Sequence, residues 1–241
     1  MKKIGLIGGM SFESTTIYYQ LLNQMARERL GSLASAEILL HSVNFADIVP
    51  LQKAGRWDEA GEMLGGIAAN LERAGADCVL ICTNTMHKVA DAVKFGITVP
   101  LIHIIDETAA VLKTQGLRHP LLLATGYTMG DGFYQARMHR HGLAVMVPDE
   151  ADRKVTHDII FDELCTGKVL DPSRRKLLDI IDKAKTAGAD SVILGCTEIC
   201  LILDPDALVL PGVDTTRLHA KAAMDFALGD EQALEKHSKH A

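Results

Sequence analysis

The sequence predicts an α/β fold of two pseudo-symmetric lobes with parallel sheets, because one stretch of the chain occurs twice. Residues 74–85 and 187–198 both begin Ala-Gly-Ala-Asp and continue through an apolar run into small polar residues. They align without a gap (187 − 74 = 113). Residues 6–11 and 123–128 pair at a similar offset (123 − 6 = 117), so we interpret the two halves as a duplication.

Apolar runs alternate with helix-like spacings along the first half, which is typical of an α/β fold. The runs predict strands over 3–7, 36–43, 77–82 and 100–104. Between them, helices are predicted over 15–25, 54–71, 86–93 and 106–114, the first capped by Ser11 or Ser14. The run 77–82 is continuous and apolar, which indicates a central strand of a parallel sheet.

The second half repeats this alternation. It predicts strands over 120–124, 144–147, 191–194 and 207–210, and helices over 133–141, 151–164, 173–187 and 214–228. No low-complexity linker separates the halves, and we place their boundary near 98–101. Loops at the carboxyl ends of parallel strands usually form the ligand site, so we look for functional residues there.

The composition restricts the class of function. The 241 residues carry a formal charge of −6 and no basic stripe, which argues against a nucleic-acid partner. No apolar run approaches the roughly 20 residues of a membrane span. The N-terminus reads as a folded strand, and five scattered cysteines are typical of reduced thiols, so we expect a cytoplasmic protein. The cysteine and histidine spacings do not suggest a zinc site, and we expect no metal.

Cys196 is the candidate functional thiol of the second half. It follows a predicted buried strand and Gly195, and Thr197 and Glu198 begin the next turn. A helix starting there would place its amino end near the sulfur and stabilise a thiolate. The alternative is a small buried hydrophobic residue, but the repeat and the Gly-Cys-Thr-Glu context favour a functional thiol. Glu198 either orients Thr197 or is an acidic residue at a helix N-terminus.

Thr83 stands where the second half has Cys196. Side chains alternate along a strand, so Cys82 should point away from the site if Thr83 faces it, unless a kink at the strand end turns Cys82 round. His87 follows within a few residues. It either tunes a nearby charge or lies on a helix surface.

Hydroxyl and amide groups recur at the predicted loop positions, and with backbone N–H groups they could hold a carboxylate without a cation. The alternative for each is a turn or a helix cap, above all for Ser11. The predicted substrate-binding residues are Met10, Gln52, Asn84, Thr85, Thr125, Thr128, Thr197 and Glu198. Supporting roles are assigned to Ser11, Cys82, His87 and Arg153.

The chain resembles the cofactor-independent aspartate/glutamate racemases over nearly its whole length. The resemblance rests on Ile4-Gly5-Leu6-Ile7-Gly8-Gly9-Met10-Ser11, Thr83-Asn84-Thr85-Met86-His87, Thr125-Gly126-Tyr127-Thr128 and Gly195-Cys196-Thr197-Glu198. The stretch Cys-Thr-Asn-Thr-Met-His-Lys at 82–88 is most similar to the bacterial branch of broad-specificity or L-Asp/Glu-specific amino-acid racemases.

The resemblance implies an active site between two lobes, the first formed by 1–99 plus 212–241 and the second by 100–211. Two cysteines would flank the substrate Cα. One thiolate would remove its proton, and the other thiol would return a proton to the opposite face. The resemblance also implies that no pyridoxal phosphate or metal is needed, and that the protein is a homodimer.

One position departs from the family pattern. The family has Cys directly before Asn-Thr, whereas this chain has Thr83, with Cys82 one residue earlier. A threonine hydroxyl is a much weaker acid than a thiol, so it cannot readily be a resting base, although it can donate or relay a proton. In the family the second-lobe cysteine serves the L-enantiomer, a role that would fall to Cys196.

We therefore expect an amino-acid racemase that acts on L-aspartate, L-glutamate or a related amino acid, competent from L and poor from D. Candidates to hold the side-chain carboxylate are Gln52, Lys53, Arg153 and Lys168. The alternatives are a hydantoin racemase, maleate isomerase or decarboxylase of related fold, and a small-acid-binding protein that has lost catalysis. A nucleotide-binding domain is disfavoured, because Gly5-x-x-Gly8-Gly9 lacks the dinucleotide spacing and no P-loop occurs.

Overall fold

The computed structural model describes residues 1–31 and 33–229. Within them the strands are β1 (Ile4–Gly8), β2 (Ile38–Ser42), β3 (Cys78–Ile81), β4 (Pro120–Leu123), β5 (Ser191–Leu194) and β6 (Gly212–Asp214). The helices are α1 (Phe12–Leu30), α2 (Phe45–Lys53), α3 (Trp57–Arg73), α4 (Ala90–Phe95), α5 (Ile104–Thr114), α6 (Gly126–Gly130), α7 (Phe133–Arg140), α8 (Glu150–Asp158), α9 (Asp171–Thr186) and α10 (Thr215–Leu228). None of these helices is long and apolar enough to cross a membrane.

The chain forms two compact units. Among the described residues, the first comprises Met1–His103 and 219–229, and the second comprises Ile104–Leu218. The boundaries predicted at 99 and 212 therefore fall a few residues from the observed ones, and residues 230–241 of the predicted first lobe lie outside the described residues. The first difference arises because Val79 exchanges backbone hydrogen bonds with Pro100 and Ile102, which ties this segment to the first sheet.

The first unit is a parallel sheet in the order β2-β1-β3, with helices on both faces. Leu6 and Leu80 pack with α1 and α10 on one face, whereas Ile7 and Ile81 pack with α3 on the other. A strand covered on both faces must be apolar at every position, which explains why β1 and β3 have no polar side chains.

The second unit is a parallel sheet in the order β4-β5-β6. Leu123 and Leu194 pack with α9 on one face, and Leu122 and Ile193 pack with α5 and α7 on the other. Single bridges, Val79 with Leu101 and Leu121 with Met146, extend the two sheets. With these bridges both sheets have the same strand order, as expected for two duplicated halves.

Several predicted elements differ from the observed ones. Residues 100–104 and 144–147 form one bridge each in place of a strand. The last strand is β6 and not 207–210, because 205–207 form a 3₁₀ turn under the Asp204 cap. The predicted helix over 54–71 is α3, which begins at Trp57 because Gly55, at φ 68°, ends the preceding helix α2. The predicted helix over 151–164 leaves the α-conformation after Asp158 for a π turn.

Candidate functional site

Thr83 lies just past β3, at the carboxyl edge of the first sheet. Pairing with β1 continues beyond the strand, because the Cys82 N–H donates to Ile7 O over 3.0 Å. Asn84 follows, and a 3₁₀ turn covers Thr85–Val89. Thr83 is half-buried and Asn84 and Thr85 are buried. The first unit thus presents one hydroxyl at its edge, backed by two buried polar residues.

The loop after β1 reaches the same edge. Gly9 has φ 86°, and a Cβ there would lie 2.1 Å from Val43 O, so only glycine fits. The Gly9 N–H donates to Thr15 Oγ1 over 2.8 Å, and Ser11 caps α1 by accepting from the Ser14 N–H. The Ser14 hydroxyl in turn donates to Cys82 O over 2.9 Å. These bonds hold the loop that carries Met10 and Ser11 beside the end of β3.

Cys82 belongs to the core and not to this edge. Its side chain is buried in the cluster that contains Tyr18, Ile102 and Met224. Burial alone raises the pKa of the Cys82 thiol far above its ordinary value. The sequence left open whether a kink turns Cys82 toward the site. The alternation of the strand instead continues to its end, which places the Cys82 side chain in the core.

His87 is buried behind Thr83, which resolves the choice between a surface and an interior position. Its Nδ1 donates to the carbonyl O of Thr83 over 2.8 Å. Two more buried histidine rings lie close, with centroids 4.6 Å away for His103 and 5.5 Å for His219. His219 Nε2 donates to Ile102 O over 2.7 Å, so its Nδ1 accepts from the Tyr18 hydroxyl, also at 2.7 Å. The cluster fixes the backbone under Thr83.

Gln52 and Met10 lie in the core beneath the same edge. Gln52, near the end of α2, donates from Nε2 to Met86 Sδ over 3.1 Å. Met10 and Met86 belong to one buried cluster. Gln52 is therefore held against the 3₁₀ turn that follows Thr83, whereas Lys53 is exposed.

Cys196 holds the equivalent position in the second unit, just past β5. Gly195 donates its N–H to Leu123 O over 2.8 Å. A Cβ on Gly195 would lie 2.9 Å from Leu122 Cδ1 and 3.1 Å from Ala124 Cβ. The missing side chain lets the ends of β4 and β5 approach, which places Thr125 and Cys196 on one edge.

Glu198 binds the Cys196 thiol directly. Cys196 Sγ donates to Glu198 Oε2 over 2.8 Å, and the Thr197 hydroxyl donates to the same oxygen over 2.9 Å. Desolvation first, and then the charge of Glu198, raise the pKa of Cys196 well above its ordinary value. The structure differs from the expected helix N-terminus, because only a short 3₁₀ turn over Thr197–Leu201 follows Cys196, and desolvation and the Glu198 carboxylate both oppose a thiolate.

The loop Thr125–Thr128 lies beside Cys196. Thr125 is the N-cap of α6, and its Oγ1 lies 3.1 Å from the Oγ1 of the fully buried Thr128. The Gly126 N–H donates to His157 Nδ1 over 3.1 Å. His157 comes from α8 and has no local signal in the sequence that would have marked it.

Arg153 lies one helical turn before His157 on α8. A Cβ on Gly130, at the end of α6, would lie 4.0 Å from Arg153 Nη1. Among the described residues, buried Arg153 Nε has no hydrogen-bond partner. Arg153 thus lies near the end of α6, two residues past the Thr125–Thr128 loop, whereas Lys168 is exposed beyond the 3₁₀ turn at Leu164–Thr166.

The predicted residues therefore gather at two sheet edges. In the first unit these are Met10, Ser11, Gln52, Thr83, Asn84, Thr85 and His87. In the second unit they are Thr125, Thr128, Arg153, Cys196, Thr197 and Glu198. Cys82 lies in the core cluster on one face of the first sheet, whereas Met10 lies in the cluster on the other face.

Known proteins share this arrangement of the chain. The profile of the Asp/Glu/Hydantoin racemase family matches residues 7–223. The broad specificity amino-acid racemase RacX of Bacillus subtilis is 24% identical over 233 residues, which are 93% of this chain and 98% of RacX.

Solved structures agree with the sequence match. A candidate Asp/Glu racemase from Yersinia pestis is 45% identical with a TM-score of 0.90, covering 95% of this chain and 100% of that one. An aspartate racemase homologue from Pyrococcus horikoshii is 33% identical with a TM-score of 0.84 at the same coverage. The chain is therefore a member of the Asp/Glu/hydantoin racemase family, and an isomerase of the amino-acid racemase type.

Proposed function

We propose that the protein racemises acidic amino acids without a cofactor, with Cys196 as the base for the L-enantiomer. The observation that carries this proposal is the 2.8 Å hydrogen bond from Cys196 Sγ to Glu198 Oε2 at the end of β5. A thiol alone at raised pKa would be a poor base. A carboxylate in direct contact gives its proton a destination.

The proton path follows from this contact. As the Cys196 sulfur takes the proton from Cα, the thiol proton moves to Glu198, so one proton enters the pair and none leaves it. The substrate becomes a carbanion next to its α-carboxylate. Hydroxyl and amide groups at the sheet edges hold the carboxylate and stabilise this charge. We assign that role to Asn84, Thr85, Thr125, Thr128 and Thr197.

Thr83 takes the place of the second cysteine. Its hydroxyl can deliver a proton to the carbanion but cannot readily abstract one from Cα. Enantiomers have equal free energy, so a complete racemisation must be equally efficient in both directions. The difference between Cys196 and Thr83 should therefore appear in the rate of proton exchange at each face of the substrate Cα. Exchange of the Cα proton should be fast from the L form through Cys196 and slow from the D form through Thr83.

The test of this assignment is Thr83→Cys. Exchange of the Cα proton of D-aspartate with D₂O should rise by at least about tenfold, because a thiol replaces a much weaker acid. Thr83→Ser is the matched control and should leave the slow rate unchanged. An unchanged rate in a folded Thr83→Cys variant would contradict the role of Thr83.

We assign the side-chain carboxylate of the substrate to Arg153, the predicted cation that lies near Gly130 at the end of α6, two residues past Thr128. Its buried Nε can donate to a carboxylate in a charge-assisted bond. Arg153→Met should raise KM for L-aspartate about tenfold or more, as expected for a lost charge-assisted hydrogen bond. Arg153→Lys should restore part of the affinity, and KM for a neutral amino acid should not change.

A small-acid-binding protein without catalysis is the second candidate, favoured by Thr83 and by the raised pKa of Cys196. Solvent deuterium separates the two functions, because binding alone exchanges no Cα proton. Binding of L-aspartate in a calorimeter, with no deuterium incorporation into either enantiomer, would establish this second candidate.

A further inference from the structure

His157 contacts the backbone of the Thr125–Thr128 loop. The Gly126 N–H donates to His157 Nδ1 over 3.1 Å. A Cβ on residue 126 would lie 3.4 Å from the same nitrogen, so the ring is packed closely over the start of α6. Two aromatic rings also lie near the His157 ring. The centroid of the His157 ring is 4.6 Å from that of Phe161 and 6.3 Å from that of Tyr127.

The direction of this bond fixes the protonation of the ring. An N–H group can only donate, so Nδ1 must accept and cannot carry a proton. His157 is therefore a neutral imidazole with its proton on Nε2. An imidazolium or the other tautomer would point an N–H at the Gly126 N–H, and the bond would be lost.

The loop needs an acceptor from outside. The first N–H groups of a helix have no partner within the helix, and α6 has only five residues. Thr125 supplies acceptors for Thr128 and Met129 through its hydroxyl and its carbonyl group. The Gly126 N–H is satisfied by His157, which lies 31 residues further along the chain.

We propose that His157 is a positioning residue for catalysis: as a neutral imidazole it holds the Thr125–Thr128 loop where its hydroxyls meet the substrate. This inference rests on the proposed function, because it takes that loop to bind substrate. The geometry supports a role through the loop, since the His157 ring accepts its hydrogen bond from the backbone N–H of Gly126. The hydrogen bond of a single ring nitrogen thereby sets the position of two substrate-binding side chains beside Cys196.

Three variants distinguish the effect of the hydrogen-bond acceptor at His157 from the effect of the packing of its ring. His157→Asn keeps an acceptor near the position of Nδ1 and loses the ring. His157→Leu loses both. Phe161→Leu removes a ring contact and keeps the acceptor. Thermal unfolding of all three, beside the wild type, shows which variants remain folded.

The first measurement needs no substrate. Amide hydrogen exchange at Gly126 should accelerate about tenfold in His157→Leu, the change expected for one lost hydrogen bond. It should stay within about threefold of the wild type in His157→Asn and Phe161→Leu. In the wild type, a nitrogen-15 spectrum of the imidazole should show Nδ1 without a proton. A protonated Nδ1, or unchanged Gly126 protection in His157→Leu, would overturn the inference even if one variant failed to fold.

The second measurement is kinetic. With L-aspartate, His157→Leu should raise KM about tenfold with kcat within about threefold, and His157→Asn should restore KM. An Asn variant as impaired as the Leu variant would overturn the positioning role. A wild type that exchanges no Cα proton, but shows the expected Gly126 protection, would instead overturn the proposed function and with it the substrate role of the loop.

Discussion

The Cys196 thiol donates to the Glu198 carboxylate, and this contact changes what each residue can do. Desolvation raises the pKa of Cys196, and the negative charge of Glu198 raises it further because it opposes a second negative charge on sulfur. The same carboxylate is the acceptor that the thiol proton needs when Cys196 acts as a base. Thiol reactivity and catalysis should therefore respond in opposite directions when Glu198 is changed.

We predict that Glu198→Gln makes the Cys196 thiol react faster with alkylating agents and act less well as a base. Removing the charge lowers the pKa of Cys196, so alkylation by iodoacetamide at pH 7.5 should accelerate by on the order of tenfold per pKa unit. The rate of Cα proton exchange in L-aspartate should fall about 10²-fold, because Glu198 no longer accepts the thiol proton of Cys196. Mass spectrometry of the Cys196 peptide measures the alkylation, in a Cys165→Ser background that removes the exposed thiol. Slower alkylation in Glu198→Gln would contradict the electrostatic argument.

We predict that Cys82→Ala is a stability variant only. Cys82 is buried among core side chains, so its truncation should lower the free energy of unfolding by about 1 kcal/mol. Cα exchange at L-aspartate should remain within about threefold of the wild type, whereas Cys196→Ala should abolish it. A large loss of exchange in Cys82→Ala at unchanged stability would mean that Cys82 reaches the substrate after all.

At the scale of elements, the ends of β4 and β5 position the site of the second unit. Gly195 is the residue that lets them approach, because a Cβ there would lie 2.9 Å from Leu122 Cδ1. We predict that Gly195→Ala lowers the free energy of unfolding by about 1–3 kcal/mol through overpacking. It should also reduce Cα exchange by moving Cys196 away from Thr125.

The matched control is Gly66→Ala on α3. This glycine is exposed, and a Cβ there meets nothing within 4 Å. The substitution should stabilise the protein by about 0.5–1 kcal/mol and leave activity unchanged. Chemical denaturation measures both variants. Equal effects of the two substitutions would contradict the packing argument at Gly195.

The sequence predicts those elements whose pattern is local. The repeat at 74–85 and 187–198 locates β3 and β5, because a strand buried on both faces must be a continuous apolar run. The runs at 100–104 and 207–210 mislead, because tertiary pairing decides which short apolar segment joins the sheet. Helix α2 is missed, since it is short and contains Pro50.

Within the candidate site, too, only the features with a local sequence pattern can be predicted. Thr83 and Cys196 can be located from sequence because they directly follow predicted strands. Their contacts are different, since His219 reaches the cluster behind Thr83 from α10, and His157 reaches Gly126 from α8. No spacing in the sequence links residues that meet only through the fold.

At the scale of the whole molecule, the buried thiols should make the free energy of unfolding fall as the pH becomes alkaline. Burial raises the pKa of Cys78 to about 12 and raises the pKa values of Cys82 and Cys200 further. In the unfolded chain a thiol titrates near 8.5. The folded state thus retains protons that the unfolded state releases, so this contribution is complete below about pH 8.5 and is lost as pH rises toward 12.

We predict that the free energy of unfolding falls by roughly 1.4 kcal/mol per pH unit for each such thiol above about pH 9. Urea denaturation between pH 8 and 11 measures the slope. Cys78→Ala should be less stable at pH 8 but should show a slope smaller by one thiol. The same slope in the variant and the wild type would mean that Cys78 already titrates at its ordinary pKa in the folded protein.

The proposed racemase activity depends on Cys196 acting at the Cα of an acidic amino acid. Proton NMR of L-aspartate, L-glutamate and their D forms in D₂O, with protein and no added cofactor, tests this most directly. We predict loss of the Cα–H signal from an L form, faster than from its D form and abolished by Cys196→Ala. Exchange that survives Cys196→Ala, or no exchange of any of the four by the folded wild type, would contradict it.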